Sequence, residues 1–168
     1  YAVYTFDYIF QGVCDGVQPI ISYLAGADDF EYEKKILRTE TAVLGVCCIF
    51  FILSTPLLIR FMPKLFSVSG DAEKMMKTGF WIYAFSYIFK AAVKFVCSYY
   101  YAAGESRISN ILVYIDPLCF TPLMLFICSG IFGTAGVWSA LPLAQLLTAL
   151  VSAAALKKWG CKKSADRS

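Results

Sequence analysis

Histidine is missing from all 168 residues. Its absence removes HExxH zinc sites and every catalytic triad or dyad built on imidazole. The seven cysteines, at positions 14, 47, 48, 97, 119, 128 and 161, include no CxxC pair. Six of them lie in apolar stretches, where cysteine behaves as a small apolar residue, so neither a disulfide framework nor a zinc site is expected. Charge is scarce as well: 16% of residues are charged and the net charge is +3, too little to argue for nucleic acid as a partner. With no imidazole and few carboxylates outside the loops, no paired-carboxylate or nucleophile constellation is available, and no enzyme or cofactor is expected.

What fills the sequence instead is apolar. Hydrophobic residues make up 59% and aromatics 17%, a composition that fits a helical membrane protein. A helix crossing a bilayer needs roughly 20 mostly apolar residues. Thr41 to Ile59 carries no charge, and the 40 residues from Pro117 to Leu156 carry none either. That second run is long enough to cross twice, with a tight turn at the glycine-studded SGIFGTAG. Two further stretches, 1–24 with Asp7 and Asp15 and 78–101 with Lys90 and Lys94, are aromatic-rich and of spanning length. The fold expected is all-α and polytopic, with about five spans at 1–24, 41–62, 78–101, 108–131 and 135–156. A soluble bundle would need a polar face on every helix, and the second and fifth have almost none.

The basic residues orient these spans. Nine (Lys34, Lys35, Arg38, Arg107, Lys157, Lys158, Lys162, Lys163 and Arg167) fall on one side and four (Arg60, Lys64, Lys74 and Lys77) on the other. The positive-inside rule places the nine in the cytoplasm, so the C-terminus is expected there, at the plasma membrane. The mixed-charge link 27–38 reads as a short amphipathic surface helix, and 157–168 as a disordered cytoplasmic tail near anionic lipid. Tyr1 opens directly into an apolar stretch with no signal-peptide features, and a preceding segment is expected.

A charge near the bilayer centre costs roughly 2.5–3.5 kcal/mol on insertion scales, so intramembrane polar groups should face protein, water or each other. Gln11, Asp15 and Gln18 fall at i, i+4 and i+7, one helix face. Lys90 and Lys94 share a face in the third span, and Lys94 and Asp116 stand equally far from Glu105 in the connecting turn, hence at similar depth. Lys94 either pairs with Asp116 or snorkels to the interface. Asp15 either pairs with Lys90 or Lys94 or faces a watery cavity and binds a cation or proton. Five intrahelical prolines, Pro19, Pro56, Pro117, Pro122 and Pro142, are tolerated in membranes as kinks.

Three motifs then carry a resemblance. Gln18-Pro19-Ile20-Ile21-Ser22-Tyr23 followed by Gly26-Ala27, Tyr101-Ala102-Ala103-Gly104 with Arg107 and Ser109, and Phe132-Gly133-Thr134-Ala135-Gly136-Val137-Trp138 resemble, in order and spacing, the second half of multidrug and toxic compound extrusion (MATE) transporters. The resemblance implies that the five spans are the eighth to twelfth helices of a twelve-helix, two-lobed antiporter, a partial six-helix lobe whose N-terminal partner lobe lies on the same or a separate chain. It implies export of amphipathic small molecules driven by Na+ or H+. Leu24 and Ala25 depart from the family's Asn and aromatic, and lysines stand where some sodium-coupled members keep an acidic ligand. A lipid or oligosaccharide flippase of the same broad superfamily, or a non-transporting membrane fragment or assembly partner, are the alternatives.

Overall fold

The computed structural model describes residues 2–27, 29–67 and 69–165. It is an all-α, polytopic membrane protein: seven α-helices and one π-turn, with no strand among the described residues. The helices are α1 (Ala2–Gly26), α2 (Phe30–Leu65), α3 (Asp71–Ala84), α4 (Ser86–Ala102), α5 (Ser106–Ile115), α6 (Thr121–Phe132) and α7 (Thr134–Ala165).

Local chemistry sets the boundaries. Asp29 caps α2 by accepting from the Tyr32 N–H at 3.3 Å, and Glu31 and Glu33 in the first turn suit the positive end of the helix dipole. Nothing between Leu37 and Leu44 breaks the helix. The surface helix expected at 27–38 is therefore the first part of α2, which runs on for 36 residues, about 54 Å at ~1.5 Å per residue. The disordered tail expected at 157–168 is likewise corrected in part, because α7 stays helical to Ala165; residues 166–168 lie outside the described residues. The turn at SGIFGTAG is present: Gly133 ends α6 at φ 59°, left-handed backbone that glycine tolerates at little cost.

Two spans are interrupted. The third is α3 and α4, bent by 40° at Phe85. The fourth is α5 and α6 joined by the π-turn Asp116–Phe120, where the Thr121 N–H donates to the Asp116 carbonyl five residues back. Pro117 and Pro122 supply no N–H to the ladder there, and the backbone takes the wider turn.

Among the described residues, three stretches are long and apolar enough to cross a membrane: Phe30–Leu65, Ser106–Phe132 and Gly136–Lys157, with α3 and α4 together making a fourth. Helix α1 has the length, at 25 residues, but Asp7, Gln11, Asp15 and Gln18 leave it too polar to qualify by composition. Its partners explain how it packs: Phe6 stacks on Phe51 with ring centroids 4.2 Å apart, and Phe10 meets the same ring edge-on at 5.1 Å. These aromatics sit in a core with Cys14, Leu44, Cys48, Ala84, Tyr87 and Ala91. Leu53 on α2 and Phe126 on α6 are 72% and 80% exposed, an outward apolar surface that suits lipid.

Candidate functional site: a polar ladder and two chambers between α1, α4 and α5

Helices α1 and α4 run parallel and in fixed register. Lys90 donates to Asp7 at 2.5 Å, Lys94 donates to Gln11 at 2.7 Å, Ser98 donates to the Cys14 carbonyl, and Ser22 donates to the Ala102 carbonyl. One polar pair spaced i, i+4 on α1, Asp7 and Gln11, thus faces one spaced i, i+4 on α4, Lys90 and Lys94, as one-face geometry requires. The last contact joins two of the resembling motifs, since Ser22 belongs to the first and Ala102 to the second.

The lower part of the stripe continues from Gln11. Its amide nitrogen donates to Asp15 at 2.7 Å while its amide oxygen accepts from Lys94. Gln11 therefore stands between the carboxylate and the ammonium, and Asp15 forms no ion pair with Lys90 or Lys94 in the described structure. The ion pair is Lys90 with Asp7, whose side chains are 14% and 21% exposed. Lys90 also lies 5.2 Å from the centroid of the Tyr83 ring, a favourable place for a cation. Asp7 keeps its second oxygen buried and without a hydrogen-bond partner.

Asp116 does not meet Lys94. Its carboxylate accepts from Gln145 at 2.5 Å, from Thr148 at 3.2 Å and from Thr121 at 3.3 Å, which ties the π-turn to α7. Depth arithmetic placed Asp116 and Lys94 at one level; the π-turn rotates Asp116 towards α7, where two neutral donors satisfy it.

All six residues singled out from the sequence nevertheless border two adjoining chambers. The first, of about 190 Å³, is bordered by Asp7, Lys90, Lys94, Asp116 and Gln145 among others. The second, of about 300 Å³, is bordered by Gln11, Asp15, Gln18, Lys94, Tyr101 and Asn110 among others. Lys94, Cys97 and Val113 belong to both, so Lys94 is the shared wall. Three carboxylates and two ammonium groups line the pair. Such a mixed lining can hold a polar or ionised group inside an apolar bundle, whereas among the described residues no cluster of ligating side chains is arranged for a metal ion.

Sequence reasoning missed Asp7 and Gln145 as lining residues. Asp7 was legible: it precedes Gln11 by one turn and extends the same face. Gln145 had no partner pattern of its own and became visible only through Asp116.

The chain is similar to a multidrug exporter. The multidrug export protein MepA of Staphylococcus saprophyticus is 24% identical to it over 152 residues, which cover 87% of this chain and 32% of that protein. The chain thus spans about a third of the length of the curated relative it matches. No family model matches the chain, and no solved structure matches it.

Proposed function

We propose that this chain is part of a MATE-type secondary active exporter, which moves amphipathic organic compounds out across the plasma membrane in exchange for sodium ions or protons. The observation that carries the reading is the pair of polar chambers in an otherwise apolar bundle, bordered by Asp7, Gln11, Asp15, Lys90, Lys94 and Asp116. The similarity to MepA and the three ordered motifs support it. In this scheme the chambers belong to the cleft of the second lobe. Asp15, held only by the neutral Gln11 amide, is the carboxylate most available to a coupling cation or to a cationic group of the substrate, and Lys94 sets the opposite charge across from it. The remaining helices, including a first lobe, come from elsewhere on the same or a separate chain, and the C-terminus faces the cytoplasm.

Asp15→Asn in the longer protein that contains this chain tests the reading. In a pump-deficient host, efflux of a fluorescent cationic dye should fall several-fold while the amount of protein in the membrane stays level. Equal efflux at equal expression would remove Asp15 from the transport site. Imposing a sodium or a proton gradient on proteoliposomes then decides the coupling ion.

One observation bears on the flippase reading. Two lysines in the cleft would suit the phosphate of a lipid-linked substrate, but Asp7 neutralises Lys90 and Gln11 engages Lys94, and the three carboxylates outnumber the ammonium groups. The chambers favour an exporter of organic compounds over a carrier of anionic lipid.

A further inference from the structure

Glu40 has no place in the polar ladder. It projects from α2 into the interface with α1 and is 2% exposed, and neither of its carboxylate oxygens has a hydrogen-bond partner. Its polar neighbour is the thiol of Cys14 on α1, itself 1% exposed and a weak donor at best. Around them lie the apolar side chains of the Phe10, Leu44 and Cys48 core.

The charges on the packed helices are engaged elsewhere. On α1, Asp7 is taken by Lys90 and Asp15 by Gln11. On α4, Lys90 and Lys94 point to those same α1 residues. On α3, Lys74 and Lys77 pair with Asp71 and Glu73. Apart from Cys14, no titratable side chain of these elements acts on Glu40 among the described residues.

A lone ionised carboxylate in such surroundings is costly to keep, and the usual outcome is that the group is neutralised. Cys14 and Glu40 stand at similar distances from the α1–α2 turn, thirteen residues before Ala27 and thirteen after it, which puts the carboxyl at the depth of the ladder, against the flank of α1 beside the polar stripe.

We propose that Glu40 is a proton-binding site of the α1–α2 interface: it carries a proton while the two helices are packed and gives it up when they separate enough to admit water. Protonation therefore favours the packed pair. Because Cys14, which Glu40 meets, lies on the flank of the helix face that bears Gln11, Asp15 and Gln18, occupancy of this site by a proton bears on where the stripe stands. The inference is independent of which compound, if any, the protein moves.

Two measurements on the longer protein in lipid bilayers test it. Infrared difference spectra at neutral pH should contain the carbonyl stretch of a buried carboxylic acid in the unsubstituted protein and lack it in Glu40→Gln, with Glu40→Asp as a second variant in case the amide fails to fold. Spin labels at the exposed positions of Tyr23 on α1 and Tyr32 on α2 should report a distance distribution that lengthens as pH rises. In Glu40→Gln, which is neutral at every pH, the distribution should stay put. Identical infrared spectra with and without the Glu40 carboxyl would overturn the proposal. So would an α1–α2 distance whose pH response survives Glu40→Gln or is absent from the unsubstituted protein.

Discussion

Asp7 and Lys90 meet where water is scarce, and the consequence of losing one differs from that of losing both. Removing one partner of a largely buried pair leaves a charge uncompensated and typically costs about 3–5 kcal/mol, whereas replacing both by apolar groups is often neutral. Asp7→Leu alone and Lys90→Met alone should each lower the thermal unfolding midpoint of the longer protein markedly, and the two together should recover most of the loss. A double variant no more stable than the worse single one would show that the contact contributes little. Asp116 is a different case, since its partners Gln145 and Thr148 are neutral and well buried. Asp116→Leu should strand the Gln145 amide, while Thr148 keeps the Ala144 carbonyl as acceptor, and cost about 1–3 kcal/mol for the buried group left without a partner, whereas Asp116→Asn, which keeps an acceptor oxygen, should cost less; thermal unfolding of the two variants side by side checks the order. At this scale the sequence was partly legible. The one-face spacing of Gln11, Asp15 and Gln18 is kept in the structure, where the three border one chamber, but which carboxylate meets which lysine depended on the α1–α4 register, and spacing within one helix says nothing about the offset between two.

Elements were legible where their ends carry chemistry. Gly104 and Gly133 both adopt positive φ, 84° and 59°, and both fall in turns that the sequence marks. The merger of the charged link into α2 was hidden because a mixed-charge stretch and the first turns of a long helix have the same composition. The π-turn was hidden because two prolines five residues apart signal a distortion without saying which. The third motif has a packing reason that no periodicity reveals: Trp138 lies against Gly79 of α3, and a Cβ added there would fall 2.5–2.8 Å from the indole ring. Gly79→Ala should therefore be overpacked, by about 1–3 kcal/mol, and Trp138→Leu in the same chain should relieve it. Unfolding midpoints for the two single variants and the pair would check this; a Gly79→Ala protein as stable as the original would mean the indole moves aside freely.

For the whole molecule, the expectation concerns sidedness. Cysteines introduced at Lys35 and Arg107, in a background lacking the native ones, should react with an impermeant maleimide only after the cytoplasmic face is opened, and cysteines at Lys64 and Lys74 should react from outside. The reverse pattern would invert the orientation drawn from the basic residues. The fold class was readable at this scale because apolar runs of spanning length are almost a direct record of bilayer thickness. Helix α1 is the exception, as its polar stripe makes it look unlike a span while its aromatic face makes it pack like one.

The repeat of the ladder carries one more implication. Asp15 stands one turn beyond Gln11, as Gln11 stands one turn beyond Asp7. A slide of α1 along α4 by a single turn, about 5.4 Å, would set Gln11 against Lys90 and Asp15 against Lys94, again with one ion pair and one amide contact. The polar rungs therefore work as a vernier with two nearly equivalent stops. What selects the observed stop is the apolar side of α1, where Phe6 and Phe10 grip the Phe51 ring, and the Ser22 contact at the far end.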